Sequence, residues 1–282
     1  MNNSMISAMV SMSGIQQKLD IISDNMANSN TTGYKAKQAS FEDVLTNLAT
    51  HDAKMKQPGR ATPLGFTQSW GTRMSSLSED TTQGSLKVTD VPTDLAVEGN
   101  AMFEIALDDQ GTVGWTRDGS FNLVLDKQDT DNVYLTTSQG YKVLDINGEP
   151  IKIPNGYAMQ VDAKGHITAQ KPGSPEILDI GYVKVAEPMQ PGLLQKTDEN
   201  FYILPYGAPQ NVMQGVDLAN MDPADPFSRK DIAIRQGALE QSNVNLANEM
   251  VDLMQVQRAY QLTARALTSS DTMMGLANNL RA

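Results

Sequence analysis

The sequence predicts an α+β fold in which long amphipathic helices at the two ends pair as a coiled coil, with a central all-β domain between them. Apolar residues recur in alternating steps of three and four at both ends of the 282-residue chain. This spacing is the heptad pattern of packed helices. Between the ends, short apolar runs are separated by tight-turn dipeptides such as Asn147-Gly148, which is typical of antiparallel strands.

The first element is an N-terminal helix with a polar turn after it, over residues 1–35. Its apolar seam consists of Met5, Ala8, Met12, Ile15, Leu19, Ile22 and Met26. The helix should end in the Asn- and Thr-rich run that follows, because short polar side chains compete for backbone hydrogen bonds and Gly33 can take a positive φ.

The middle of the chain is predicted to hold three parts. Residues 36–82 form an extended connector that starts with a short helix over residues 40–48, where Ser40 and Asp43 have the spacing of a helix cap. Residues 83–205 form the central β domain, with strands between the turn dipeptides. Residues 206–236, which are rich in Pro, form the return connector.

The last element is a C-terminal helix over residues 237–282, which contain no Pro. Its seam runs through Leu239, Asn243, Leu246, Met250, Leu253, Gln257, Tyr260, Ala264, Leu267, Asp271 and Met274. Two such helices cover only part of each other, so neighbouring copies are expected to complete the packing. The predicted assembly interface is Met12, Ile15, Leu19, Ile22, Met26, Leu246, Met250, Leu253, Tyr260, Leu267 and Met274.

Composition argues against several classes of protein. The formal net charge is -11 and there is no Cys, which argues against nucleic-acid binding, disulfides and Cys-bound zinc. The two His residues lack metal-ligand spacing. Neither a phosphate-binding loop nor a Gly-x-Ser-x-Gly motif occurs, so we expect no catalytic site, no cofactor and no metal. No cleavable signal or membrane-spanning stretch is recognisable, so any export would use another route.

Four segments carry a resemblance to a known family. Residues 23–35 read Ser-Asp-Asn-Met-Ala-Asn-Ser-Asn-Thr-Thr-Gly-Tyr-Lys, which resembles the N-terminal signature of bacterial flagellar basal-body rod and hook proteins. Residues 237–244, Gly-Ala-Leu-Glu-Gln-Ser-Asn-Val, resemble the C-terminal signature of that family. Residues 94–99 and 116–121 resemble the β-domain motif of distal-rod and hook subunits. The motif residues are Asn25, Asn28, Asn30, Thr31, Gly33, Tyr34, Asp94, Arg117, Asp118 and Gly119.

The resemblance implies a structural subunit of the flagellar basal-body rod that assembles through its terminal helices into a helical axial tube and transmits torque. It also implies contacts with copies of itself, with other rod and hook subunits and with the flagellar type III export apparatus. Binding to nucleic acid and insertion into a membrane are not expected. The implied location is the basal body, outside the cytoplasmic membrane after export. The chain is therefore expected to belong to the family of distal-rod and hook basal-body proteins.

Three alternatives remain open at this point. A flagellar hook subunit is disfavoured because the middle of the chain leaves room for one β domain. A secreted cell-wall-binding β-domain protein with a helical oligomerisation stalk would need an aromatic platform, and aromatic residues make up only 6% of the chain. A wall hydrolase would need paired carboxylates, for which Glu98 and Asp118 are the available pair.

Overall fold

A computed structural model describes residues 2–48, 67–108, 111–125, 131–173, 175–197, 200–207, 209, 211–216, 218 and 232–279. The chain divides into two compact units, and both units are assembled from separate stretches of sequence. The helical unit consists of Met1–Ala27, Lys37–Ser78 and Asn245–Ala282. The β unit consists of Asn28–Ala36 and Glu79–Val244.

The helical unit contains α1 (Asn2–Ala27), β1 (Lys37–Leu48), β2 (Thr67–Glu79) and α2 (Leu246–Asn279). Strand β1 pairs with β2 in a two-stranded sheet, and α1 contacts both α2 and β1. The predicted N-terminal helix is therefore present. Within the described residues, neither helix offers an apolar stretch that could cross a membrane.

The prediction that the terminal helices pair as a coiled coil is wrong, although helices at both ends and a large β region do fit an α+β fold. In α2, Leu246 and Met250 of the predicted seam are 41% and 44% exposed, whereas Val256, outside the seam, is buried. In α1, Gly14 packs so closely on β2 that a Cβ there would lie 2.9 Å from the Thr72 carbonyl oxygen. Because α1 shares its packing surface between a helix and a sheet, a continuous two-helix seam does not form.

The short helix predicted over residues 40–48 is also wrong, because these residues lie in β1. Side chains pair along the two strands: Arg73 Nη2 donates to Glu42 Oε1 over 3.0 Å, and Ser78 Oγ donates to the Gln38 carbonyl over 3.4 Å. The backbone N–H and C=O groups of β1 form hydrogen bonds with β2, and these replace the hydrogen bonds of the helix that the capping pattern predicted. Residues 49–66 of the predicted connector lie outside the described residues.

The C-terminal helix starts later than predicted. Residues 238–240 form a strand of the β unit, and α2 begins at Leu246. Asn245 is its N-cap, since Asn245 Oδ1 accepts hydrogen bonds from the backbone N–H groups of Ala247 (3.1 Å) and Asn248 (3.3 Å). Short polar residues favour this position because they satisfy amide groups that have no partner inside the helix.

We expect Asn245→Ala to destabilise α2 by about 1 kcal/mol, because two amide groups of its first turn lose their acceptor. Thermal unfolding followed by circular dichroism at the helical band measures the change. Asn245→Asp is the matched control, since it keeps the acceptor and adds a negative charge at the positive end of the helix. An equal loss of stability in both variants would contradict the capping role.

The β unit contains seventeen strands in its described residues, which are short, as the turn dipeptides in the sequence predict. They are β3 (Leu86–Val88), β4 (Leu95–Glu98), β5 (Met102–Ala106), β6 (Val113–Thr116), β7 (Asn122–Leu125), β8 (Asn132–Thr136), β9 (Lys142–Val143), β10 (Lys152–Pro154), β11 (Ala158–Val161), β12 (His166–Gln170), β13 (Ile177–Tyr182), β14 (Val185–Pro188), β15 (Gln195–Lys196), β16 (Phe201–Ile203), β17 (Met213–Val216), β18 (Ala233–Gln236) and β19 (Ala238–Glu240).

The largest sheet has ten strands, with the path β10-β8-β9-β5-β6-β16-β15, to which β7, β14 and β17 add. Strands β11, β12 and β13 form a second, three-stranded sheet. The last two strands of the unit return to its beginning: β18 pairs antiparallel with β4, and β19 pairs antiparallel with β3. The end of the β unit thus pairs with its first strands.

The larger of two hydrophobic clusters fills the interior of the β unit. Phe103 and Phe121 are fully buried in it, and their rings meet edge to face with centroids 5.1 Å apart. Other side chains in this core are Ile105, Leu135, Val143, Ile153, Ile167 and Val185. At the edge of the unit, the Asp80 amide donates to the Ala36 carbonyl oxygen over 2.8 Å, which joins the two stretches from which the unit is built.

Candidate assembly site

Helix α2 carries apolar side chains on two different faces. Its inner face contains the buried Val256 and the half-buried Leu253, Tyr260, Leu267 and Met274. We define the outer face of α2 by its exposed large apolar residues, which are 41% to 64% exposed: Leu246, Met250, Val251, Met254, Leu262, Met273 and Leu276. A helix with apolar side chains on more than one face is expected to be covered on more than one side.

The structure divides the predicted assembly interface between these two faces. Leu246 and Met250 lie on the outer face, whereas the other four predicted residues of α2 are half-buried within the helical unit. The five predicted residues of α1 also face inward: Ile22 is buried, and Met12, Ile15, Leu19 and Met26 are half-buried. Leu239 and Asn243, which the sequence placed on the same helical seam, belong to the β unit instead.

A groove of about 390 Å³ lies in the helical unit, where both helices meet the two-stranded sheet. Its lining residues are Gly14, Ile15, Lys18, Phe41, Thr72, Gln255, Val256 and Ala259. The groove is mostly apolar, and it arises where the Gly14 backbone lies close to β2.

Asn25, one of the family-motif residues, joins three elements of the helical unit. Its side-chain amide donates to the Lys37 carbonyl oxygen (3.0 Å) and to Glu249 Oε1 (3.1 Å). Its Oδ1 accepts from the Lys37 amide over 2.9 Å. The side chain is buried, so these hydrogen bonds fix the end of α1 against the start of β1 and the first turn of α2.

Burial raises the pKa of Glu249 above its ordinary value, and the nearby Asp252 adds to this effect, while the hydrogen bond from Asn25 acts against it. The folded unit therefore holds the Glu249 proton more tightly than the unfolded chain does. The stability that the protonated carboxyl contributes is fully present below the ordinary pKa of 4.5, and it is lost as the pH rises through the higher pKa of the folded state.

We expect Glu249→Gln to stabilise the helical unit at neutral pH, because glutamine keeps an oxygen acceptor for Asn25 and does not ionise. The gap between variant and wild type should be small near pH 4 and should widen toward about pH 7. Thermal unfolding at both pH values, followed at the helical band, measures it. Asp271→Asn is the control, since it removes an exposed carboxylate from the same helix. The same gap at both pH values would contradict the expectation.

In the β unit, two cations share one buried carboxylate. Lys35 Nζ lies 2.7 Å from Glu240 Oε1, and Arg117 Nη1 lies 2.9 Å from Glu240 Oε2. The three side chains are 3%, 2% and 2% exposed. Burial lowers the pKa of Lys35, and repulsion from Arg117 lowers it further. Burial also lowers the pKa of Arg117. We call Lys35, Arg117 and Glu240 the ion cluster.

Each residue of the ion cluster comes from a different signature segment. Lys35 ends the N-terminal signature, Arg117 belongs to the β-domain motif, and Glu240 lies in the C-terminal signature. The remaining polar atoms are also satisfied: Lys35 donates to the Thr82 carbonyl oxygen, and Arg117 donates to the Val97 carbonyl oxygen. Of the three residues, only Arg117 was a predicted motif residue, since nothing in the local sequence marks Glu240 as buried.

Other motif residues pack around the ion cluster. Gly33 has φ +66°, and a Cβ there would lie 2.6 Å from the Arg117 carbonyl carbon, so this turn excludes a side chain. Asp118 Oδ1 accepts from Thr32 Oγ1 over 2.8 Å. Lys196 Nζ lies 4.0 Å from the ring centroid of the buried Tyr34. These contacts hold the turn after residue 27 within the β unit.

The last motif residues serve local turns. Asn28 Oδ1 accepts from Thr31 Oγ1 over 3.1 Å, and Asp94 Oδ2 accepts from Thr89 Oγ1 over 2.6 Å. Asn30 is exposed. Gly119 lies so close to β4 that a Cβ would meet the Leu95 carbonyl oxygen at 1.6 Å.

Glu98 and Asp118, the carboxylate pair that a wall hydrolase would need, both contact other side chains. Glu98 Oε1 lies 3.7 Å from Arg235 Nη1, and Asp118 is held by Thr32 and Ser120. Among the described residues, no cluster of His, Cys, Asp and Glu could hold a metal ion.

Charge is divided unequally between the two units. Along the sequence, the helical unit carries 9 basic and 8 acidic residues, whereas the β unit carries 13 basic and 25 acidic residues. The excess negative charge of the chain therefore belongs to the β unit. Copies of the helical unit can approach one another with little net repulsion, whereas copies of the β unit repel.

Three family models match successive parts of the chain. "Flagella basal body rod protein" matches residues 7–35, "Flagellar hook protein FlgE/F/G D1 domain" matches residues 96–169, and "Flagellar basal body rod FlgEFG protein C-terminal" matches residues 235–280. The three matches contain Asn25, Arg117 and Glu240 respectively, which are the residues that anchor the contacts described above.

Curated relatives match over nearly the whole chain. The flagellar basal-body rod protein FlgG of Borreliella burgdorferi is 32% identical over 273 residues, which are 96% of this chain and 95% of the relative. The flagellar hook-basal body complex protein FlhP of Bacillus subtilis is 32% identical over 286 residues, and FlgG of the same organism is 31% identical over 287 residues. Both of these matches span 100% of each chain.

Proposed function

Because the chain belongs to the family of flagellar basal-body rod proteins, we propose that it assembles into the rod through the outer face of α2. It is a structural subunit of the bacterial flagellum, and its family is not enzymatic. Within the basal body, rod proteins assemble with other rod and hook subunits. A hook subunit is less supported, since the relatives above are named as rod or hook-basal body complex proteins.

The exposed outer face of α2 is the observation that carries this proposal. Seven large apolar side chains on one helix are about half exposed, and burying the exposed part of each would contribute roughly 1 kcal/mol before the costs of association. The inner face is already covered within the same unit. We infer that the outer face binds a different surface of a neighbouring copy, because head-to-tail contacts of this kind propagate into an open helical assembly.

The division of charge supports the same arrangement. Repulsion between acidic β units disfavours contacts through them, whereas the nearly neutral helical units can pack closely. The helical units then carry the contacts between neighbouring copies in the axial tube. A tube whose subunits are joined in this way transmits torque along its axis.

We also propose a route of export and a set of binding partners for the chain. It binds copies of itself as well as other rod and hook subunits, and it leaves the cell through the flagellar type III export apparatus. Its final location is the basal body, outside the cytoplasmic membrane. These statements rest on the family to which the chain belongs.

Charge placed on the outer face tests the proposal. Leu262 and Leu276 are both 64% exposed, so a chain with Leu262→Asp and Leu276→Asp keeps its fold, which circular dichroism of the purified protein checks. In bacteria that produce this variant as their sole copy, we expect basal bodies with truncated rods under the electron microscope and loss of swimming. Ile177→Asp is the matched control, because Ile177 is equally exposed but lies in the β unit.

The control strain should build full-length rods. Full-length rods and normal swimming in the strain with the doubly substituted α2 would overturn the assignment of the outer face. Truncated rods in both strains would show that exposed apolar residues outside the helical unit are equally required, which also contradicts the proposal.

A further inference from the structure

The β unit cannot close until its last segment is present. Strands β18 and β19 pair with β4 and β3, which lie more than a hundred residues earlier in the sequence. Among the described residues, β3 and β4 have no other strand partners. Before residues 233–240 arrive, the first two strands of the unit therefore lack their hydrogen-bonding partners, and the loop that must close is long.

The same segment also holds the N-terminal turn. The Gly33 amide donates to the Glu240 carbonyl oxygen over 2.8 Å, and the Ala36 amide donates to Asn243 Oδ1 over 2.8 Å. The Gly84 amide donates to Glu240 Oε1 over 2.9 Å. Glu240 thus contacts Gly33, which precedes β1 in the sequence, through its backbone, and Gly84, which follows β2, through its carboxylate.

The ion cluster makes closure of the β unit depend on the negative charge of Glu240. Without the Glu240 carboxylate, the side chains of Lys35 and Arg117 would be two buried positive charges that repel each other at low effective dielectric. The hydrogen-bond acceptors left to the two cations would then be backbone carbonyl oxygens. Docking of Lys35 beside Arg117 is therefore unfavourable until Glu240 lies between them.

We propose that residues 233–243 close the β unit last and that Glu240 is its latch: the N-terminal turn over residues 28–36 locks against Arg117 only when the Glu240 carboxylate arrives. A chain that emerges from its N-terminus would then stay unlocked until nearly all of the β unit has emerged. The latch also joins the segment that follows α1 in sequence to the segment that precedes α2. This inference is independent of the outer face of α2.

Folding and unfolding rates of the full-length chain test the order of closure. In a Trp70→Phe background, the buried Trp115 of the β unit reports the reaction by fluorescence. Glu240→Gln should accelerate unfolding by about 100-fold and change the refolding rate by less than about 2-fold, because contacts made after the transition state affect only unfolding. Glu98→Gln, which removes an exposed carboxylate beside Arg235, should change neither rate by more than about 2-fold.

Refolding slowed by as much as unfolding is accelerated would overturn the proposal, since Glu240 would then already be in place in the transition state. Unchanged rates in both directions would overturn it as well. If Glu240→Gln does not fold, the double variant Lys35→Met with Glu240→Gln restores folding according to the proposal, because it removes the repulsion. Failure of this variant to fold would count against a latch based on charge.

Hydrogen exchange on the wild-type chain gives a second test that needs no substitution. The amides of Gly33 and Gly84 should exchange together and at least about 10-fold faster than the amide of Ile151, which donates to the Val143 carbonyl oxygen inside the core. Segments that close last open first and as one unit. Equal exchange at the three amides would overturn the order of closure.

Discussion

Gly119→Ala is expected to destabilise the β unit by more than about 3 kcal/mol, which is at the upper end of the cost of overpacking. The new Cβ would lie 1.6 Å from the Leu95 carbonyl oxygen and 2.7 Å from the Leu95 carbonyl carbon. These are backbone atoms, so no side-chain rotation can relieve the clash. The Leu95 amide also donates to the Gly119 carbonyl oxygen over 3.0 Å, which prevents the two segments from separating. Urea unfolding in a Trp70→Phe background, followed by Trp115 fluorescence, measures the loss.

Gly192→Ala is the matched control for this substitution. An added Cβ at Gly192 meets no heavy atom within 4 Å, so its effect should stay within about 0.5 kcal/mol. Coincident unfolding midpoints for the two variants would show that β4 can move away from Gly119 at little cost.

Phe103→Ala is expected to destabilise the β unit by about 3–5 kcal/mol, because it removes a large side chain from a close-packed interior. Phe103 is 0% exposed, and the substitution also removes the edge-to-face contact with Phe121. The same urea experiment measures the loss. A variant with both Phe103→Ala and Phe121→Ala should lose less stability than the sum of the two single variants, since they share one contact.

Tyr206→Ala removes an aromatic side chain of similar size from a fully exposed position, and it should leave the midpoint nearly unchanged. A loss at Phe103 no larger than the loss at Tyr206 would mean that the core refills the space that the ring leaves.

Sequence reasoning located the elements that depend on local chemistry. The heptad pattern of residues 5–26 predicted α1, and the Asn-Gly dipeptides correctly separated the short strands. Gly148, for example, has φ +80°, which an Asn-Gly turn provides without strain. Family resemblance also pointed to Arg117 and Gly119, both of which make close contacts in the β unit.

Elements that depend on distant partners were not predictable in this way. Strand β1 carries a helix-capping pattern, yet its backbone pairs with β2 more than twenty residues later. The heptad pattern of α2 identified an apolar stripe but could not show which side chains face α1 and which remain exposed. Lys35 and Glu240 are 205 residues apart, so no local pattern connects them. Sequence periodicity reports the face of a helix or strand, whereas the partner of that face depends on the whole fold.

The hydrogen bond from the Asp80 amide to the Ala36 carbonyl oxygen has a consequence for how chains of this kind can diverge. The stretch Lys37–Ser78 leaves the β unit and returns to it at one place, so its two ends stay together whatever its length. A change of length within this stretch therefore leaves the junction between Ala36 and Asp80 in place, so related chains can differ in length there while the β unit keeps its closure.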